Sequence, residues 1–268
     1  MATPLLRRYR APMSAIPSST LIVVAAGNSQ RMGGATPKQF MELDGRSLLL
    51  RSLDAFADIP WITERIVVLP QATLDALATG KRPNTDRIEL TSIQSPSPMV
   101  AEMRRLGVSI LCAGGARRQD SVYAGMCAVQ NSSTLVLIHD AARPFATRML
   151  IERVAIKAAE SGAAIPGIMP RDTIKTVDAQ GRVTRTIERK DLRCIQTPQA
   201  FTFSDLLAAH RRYRHVDVTD DAAMYELAAR PVPVVEGDEE NIKITGWADI
   251  PHAQAILRVR EGGSHEQA

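Results

Sequence analysis

The chain has 268 residues, of which 45% are hydrophobic and only 4% aromatic, enough for one large core packed mainly by aliphatic side chains. Its net charge of +4 is uneven: Arg7, Arg8 and Arg10 carry three of those charges in an acid-free leader, so the body is nearly neutral. Near-neutrality argues against a nucleic-acid-binding face, and no apolar run approaches the roughly 18 residues needed to cross a bilayer.

From the N-terminus, residues 1–19 lack a continuous apolar region for secretion and read as a disordered extension or an early start, with Met13 as the alternative. A single domain is expected over 20–262. Leu21–Ala25 is the first strand, and it runs into Ala25-Ala26-Gly27-Asn28-Ser29-Gln30-Arg31-Met32, with Pro37-Lys38-Gln39-Phe40 behind. Small residues let a ligand approach the backbone N–H groups, and Arg31 and Lys38 add two positive charges. This is a place to hold a polyphosphate; the ordinary alternative is a strand-to-helix turn with two solvated basic side chains.

Further strands are expected at Arg65–Leu69, Val108–Cys112, Leu135–His139, Ala163–Ile168 and Val232–Val235. Helices fit Ser47–Phe56, Ser121–Val129, Arg148–Ser161, Ser204–His210, Asp221–Ala229 and Trp247–Val259, with Ser121, Thr147 and Thr219 at cap positions. The polar stretch Gly80–Met99 reads as a surface excursion. This alternation predicts an α/β fold, Rossmann-like, with a mostly parallel sheet and helices on both faces. One segment departs from it. Thr173–Val177 and Arg182–Ile187, joined by Asp178-Ala179-Gln180-Gly181, read as a β-hairpin arm within about 171–198. An apolar arm projecting from the sheet invites a second copy to cover it, so a homodimer is expected.

Ligands of open α/β sheets bind at the carboxyl ends of the strands. Three further polar sets fall there: Gly114-Gly115-Ala116-Arg117-Arg118-Gln119-Asp120-Ser121, His139-Asp140-Ala141-Ala142-Arg143-Pro144, and Asn241-Ile242-Lys243-Ile244-Thr245. Asp140 is placed to hold Mg²⁺ beside phosphate oxygens, or else to cap a helix or pair with Arg143. His139 reads as a structural strand-end residue. Lys243 sits in an acidic tract where a surface lysine is the plain reading, and Gly114-Gly115 makes either a tight turn or room for a base. Cys112, Cys127 and Cys194 have no CxxC spacing and read as reduced thiols of a cytoplasmic protein without a zinc site. The P-loop and GxSxG patterns are absent, and Ser29 breaks a GxGxxG.

Taken in order, AAGxxxRM, PKQF, GGxxRxDSV, HDAARP, RDTIK, Thr197-Pro198-Gln199 and NIKIT make the chain resemble the 2-C-methyl-D-erythritol 4-phosphate cytidylyltransferases from about Leu21 to Val259. The resemblance implies CMP transfer from CTP to 2-C-methyl-D-erythritol 4-phosphate in isoprenoid biosynthesis, with Mg²⁺ and a homodimer interlocked by its arms. It implies nucleotide contacts from Ala25, Ala26, Gly27, Gly115 and Ser121, and triphosphate binding by Arg31 and Lys38. Asp140 would lie near metal and substrate, and Arg143, Thr219 and Lys243 would line the acceptor pocket, Lys243 also near the α-phosphate. Arg189 and Thr197 would reach the substrate from the neighbouring subunit. Ser29 in place of a common Gly, Arg193 in place of a common Trp and a longer Gly80–Met99 depart from the pattern. Ribitol 5-phosphate cytidylyltransferases are a related alternative, and a non-catalytic nucleotide-binding module is another.

Overall fold

Alternation of apolar residues along each central strand determines the layering. In the computed structural model, which describes residues 16–27, 38–77, 86–95 and 97–262, β1 (Ser19–Val24) sends Leu21 and Val23 into one hydrophobic cluster and Ile22 into another. The same division recurs along Ile62–Leu69 and Leu135–Asp140, so the sheet is buried on both sides.

In chain order, β1 is followed by a small hairpin, β2 (Glu42–Leu43) and β3 (Arg46–Ser47), then α1 (Leu48–Asp54), β4 (Ile62–Leu69) and α2 (Gln71–Leu77). Next come β5 (Arg87–Glu89), α3 (Pro98–Arg105), β6 (Ile110–Ala113), α4 (Arg118–Ala128), β7 (Leu135–Asp140), α5 (Arg148–Ser161) and β8 (Ala163–Ile168). The arm is β9 (Ile174–Val177) and β10 (Val183–Ile187); β11 (Cys194–Ile195), β12 (Gln199–Thr202), α6 (Phe203–Tyr213), α7 (Asp221–Leu227), β13 (Val234–Glu236) and α8 (Ile250–Gly262) complete the chain. The sheet runs β11-β8-β12-β7-β1-β4-β6-β5, with β13 beside β8. Its centre, β7-β1-β4-β6, is parallel, whereas β12 enters antiparallel between β7 and β8.

The α/β expectation is borne out, with local corrections. β12 was not expected, because Gln199–Thr202 carries only Ala200 and Phe201 as apolar residues and its burial comes from two neighbouring strands. Part of the anticipated surface excursion is sheet: β5 pairs with β6 at the edge, and α3 begins at Pro98. Thr147 caps α5 by accepting the Leu150 N–H. Ser121 and Thr219 do not cap: α4 starts earlier, at Arg118, and Asp220 is the cap of α7. Among the described residues, Ile16 already belongs to the core, its side chain buried ahead of the expected boundary at residue 20.

The expected hairpin forms as a separate antiparallel ribbon, with Val183 opposite Val177 and Ile187 opposite Ile174. Its turn is closed by Asp178, whose carboxylate accepts the N–H groups of Gln180 and Arg182, and by Gly181, whose φ of +77° a side chain would resist. All of β9 and all but the last residue of β10 are exposed in the single chain.

Candidate active site

Parallel pairing fixes the site, since Val24 pairs with both Val68 and Asp140, and Leu69 with Ala113. The loops after β1, β6 and β7 therefore leave the sheet at one edge. The first of them begins with buried Ala25, whose N–H donates to Val68 O at 2.8 Å, and reaches the surface at Gly27, with Ala26 between. Arg31 lies outside the described residues. Lys38, half-buried, opens a short 3₁₀ turn (Lys38–Phe40), close enough to Asp249 to stabilise its charge.

The glycine pair packs against the first loop. A Cβ on Gly114 would meet the Ala26 methyl at 2.2 Å, and one on Gly115 would meet Asp120 Cβ at 2.4 Å. Ser121, buried, accepts the Gly115 N–H at 3.2 Å and so shapes the turn from beneath. Gly115 also borders an open cleft with Ala116, Arg117, Asp120, Arg214 and His215.

Asp140 is the centre of charge. Its Oδ2 accepts from Lys243 Nζ at 2.7 Å and its Oδ1 from Arg118 Nε at 3.0 Å. Burial alone would push this carboxyl up, but Arg118 and Lys243 outweigh it and hold the group far below the ordinary carboxylate range. The alternative reading of Asp140 as a salt-bridge partner of Arg143 is corrected: its hydrogen-bonded partners are Arg118 and Lys243. The Arg143 guanidinium instead donates to the carbonyls of Asn241, at 2.7 Å, and Ile195, at 3.3 Å. It is buried and braces the strand end against the Asn241–Thr245 tract.

Thr197, like Arg143, has its polar group engaged within its own chain. Its hydroxyl is buried within its own chain, accepting the Asp140 N–H at 3.1 Å and lying 3.1 Å from His139 Nδ1. With that oxygen already accepting, its proton goes to Nδ1, and His139 Nε2 donates to Arg143 O at 3.0 Å. His139 is thus a neutral structural imidazole, and burial lowers its pKa to about 4. Asn241, fully buried, donates to Thr197 O at 2.9 Å, while the Ile244 N–H donates to Ala142 O, so Lys243 is held between two backbone anchors. Thr219 is exposed just before the α7 cap, and Arg189 lies apart on the arm base, exposed, donating to Arg171 O.

Sequence reasoning passed over Arg118, Asn241 and Asp221. The signal for Arg118 was the second arginine of Gly114–Ser121; Asp221 gave none, because its partner is 103 positions away.

Nucleotidyltransferases generally use a divalent metal. Among the described residues no three His, Cys, Asp or Glu side chains gather into a metal cage. Each Asp140 oxygen already accepts one cationic donor, Lys243 or Arg118, so a metal at this carboxylate would have to share it with those two charges. These residues do not fit a metal held by protein groups alone.

The family model for 2-C-methyl-D-erythritol 4-phosphate cytidylyltransferase matches residues 19–259, nearly all of the chain. The chain belongs to this family. It is 38% identical to the 2-C-methyl-D-erythritol 4-phosphate cytidylyltransferase of Shouchella clausii, over 90% of this chain and 96% of that protein. It is 40% identical to the bifunctional enzyme IspD/IspF of Rhodopseudomonas palustris, over 92% of this chain; the chain spans only 57% of that longer relative. Among solved structures, 4-diphosphocytidyl-2C-methyl-D-erythritol synthase from Anaerococcus prevotii superposes with a TM-score of 0.74 at 28% identity, covering 91% of this chain and 99% of that one. No helix among the described residues is long and apolar enough to cross a membrane.

Proposed function

We propose that this chain transfers CMP from CTP to 2-C-methyl-D-erythritol 4-phosphate, giving 4-diphosphocytidyl-2-C-methyl-D-erythritol and pyrophosphate. The observation that carries the reading is the meeting of Lys243, Asp140 and Arg118 beside the Ala25–Gly27 loop, in a chain matched along nearly its whole length by that family.

A phosphomonoester has a second pKa of about 6, so the attacking oxygen is already mostly deprotonated at neutral pH and needs no general base. That oxygen forms a bond to the α-phosphorus of CTP as the α–β anhydride bond breaks, and pyrophosphate leaves with the electron pair. The barrier is the meeting of two polyanions and the charge that grows on the bridging oxygen. Cations fixed in place before reaction lower it. Arg31 and Lys38 take the triphosphate, and Lys243 takes the α-phosphate and the incoming acceptor. Ala25, Ala26 and Gly27 contact the nucleotide through backbone groups, with Gly115 at the cytosine and Ser121 setting its turn. Thr219 lines the acceptor side. Asp140, Arg143 and Thr197 hold Lys243 and the strand end rather than touching the phosphates first. Mg²⁺ belongs to the nucleotide in this reading, carried in on the phosphate oxygens. A homodimer through the arm brings Arg189 of each copy to the other's acceptor site, in the cytoplasm.

The test is Mg²⁺-dependent pyrophosphate release with 2-C-methyl-D-erythritol 4-phosphate and ribitol 5-phosphate offered separately against all four nucleoside triphosphates. Release only with CTP and the methylerythritol phosphate is expected. Preference for ribitol phosphate would replace the acceptor, and CTP binding without release would overturn the enzyme assignment.

A further inference from the structure

Arg118, the first residue of α4, is shared between two carboxylates. Its Nε meets Asp140 Oδ1 at 3.0 Å, and its Nη1 meets Asp221 Oδ2 at 2.7 Å. Asp221 is 1% exposed, and its other oxygen lies 3.4 Å from Nε2 of buried His210. Because Asp220 caps α7, the Asp221 carboxylate has no capping task. A charged group buried this deeply is costly unless it is paired, and its pairing leads straight to the site. The line runs His210, Asp221, Arg118, Asp140, Lys243, and the last member is 42% exposed.

An arginine facing a lone carboxylate tends to grip both oxygens with its fork. Here Asp221 holds Nη1, and Nη2, the arm that would complete a fork on Asp140, has no hydrogen-bond partner among the described residues, so Arg118 reaches only one oxygen of Asp140. The other is left to orient the Lys243 ammonium. We propose that Asp221 is a positioning residue for the transfer reaction: by holding Arg118 to one side it keeps Asp140 singly engaged and Lys243 anchored at the mouth of the phosphate site. With Asp221 neutralised, Arg118 takes both oxygens of Asp140 and Lys243 loses its anchor. The kinetic part of this inference rests on the function proposed above.

Charge and geometry make opposite predictions, which separates them. Asp221→Asn leaves the site one unit more positive, so attraction for CTP does not weaken, yet Lys243 is misplaced. The near-isosteric Asp221→Asn should lower kcat between about 10- and 100-fold, the scale of a misplaced catalytic group, without raising the KM for CTP. Without any substrate, a pulse of an amine-acylating reagent read by peptide mass spectrometry should label Lys243 several-fold faster in this variant. Arg118→Lys keeps the charge but not the fork and should reproduce both effects, and the double variant should be no worse than either single one. Folded Asp221→Asn protein with wild-type kcat and Lys243 labelling, even if less stable, would reduce Asp221 to a structural ion pair. If Asp221→Asn does not fold, Arg118→Lys with unchanged labelling and kcat overturns the proposal alone. Wild-type protein that releases no pyrophosphate would sink the functional reading instead, and the labelling comparison would still decide the role of Asp221.

Discussion

Lys243 and Asp140 are each unremarkable alone, a lysine in an acidic tract and an acid at a strand end. Together, at 2.7 Å, they form an ion pair at the edge of the proposed phosphate site. A donor aimed at transition-state charge is worth roughly 2.7–4 kcal/mol, so Lys38→Ala and Lys243→Ala should each lose about 10²–10³ in turnover while keeping wild-type circular dichroism. Near-normal turnover in either variant would remove that lysine from the mechanism. His139 supplies a different test. Its folded pKa, about 4, lies below the ordinary histidine value of 6.5, so between those pH values the unfolded chain binds the extra proton and the folded chain does not. Stability therefore falls as pH drops from 6.5 towards 4, by about 3 kcal/mol from this residue, and the loss levels off below. Asp140, depressed in the folded state, adds its own loss only at lower pH, beneath the ordinary carboxylate value. Urea unfolding at pH 7 and pH 4.5 should show a smaller drop for His139→Gln than for wild type; equal drops would refute the assignment. At this scale the sequence singled out Asp140 and Lys243, which the structure brings together, while Arg143 and Thr197 are engaged by backbone groups that no local pattern reveals. Whether a guanidinium or hydroxyl faces a ligand or a carbonyl depends on what the rest of the chain brings next to it.

Elements carry the site as stitched loops. Gln119 of α4 donates to Val216 O at 2.8 Å and accepts the Val218 N–H at 3.0 Å, tying the glycine loop to the segment that ends in Thr219. Arg117 adds Asp217 and the Arg214 carbonyl to the same seam. A satellite core of Met41, Leu43, Leu48, Phe145, Ile244 and the inner face of α8 joins the segment after Lys38 to the one bearing Lys243. The glycine loop has the least room. Gly114→Ala drives a methyl into Ala26 at 2.2 Å and towards Ser121 Oγ at 2.7 Å, so it should cost about 1–3 kcal/mol and weaken CTP binding together. Urea titration and calorimetry check the pair, and unchanged affinity would mean that the loop after β1 does not depend on this packing. Arg148–Ser161 and Ala163–Ile168 were legible to the residue, because Thr147 and the left-handed Gly162 mark the helix ends chemically. α2 and α3 were not, since their periodic stretches are short and flank the polar segment that hides β5.

For the whole molecule, the arm is the part that the core does not explain. None of its strand residues belongs to a hydrophobic cluster among the described residues, while Val177 and Val183 are about 60% exposed. If a second copy covers the arm, as proposed, Val177→Glu with Val183→Glu should shift the protein from dimer to monomer in sedimentation. Turnover should fall with it, since Arg189 would leave the partner's site, while single-chain stability changes by no more than about 0.5 kcal/mol. Dimeric, fully active variant protein would refute the arm as the interface. The sequence by itself determined the layered α/β architecture, the hairpin and the loops that meet at one sheet edge, because hydrophobic period, caps and turn residues are local and act through near neighbours. Only the tertiary structure decided that β12 runs antiparallel through the sheet, that Arg118 rather than Arg143 pairs with Asp140, and that Asp221 stands behind both. Those outcomes join residues tens to more than a hundred positions apart, and burial makes each charge choose a partner that no local pattern reveals.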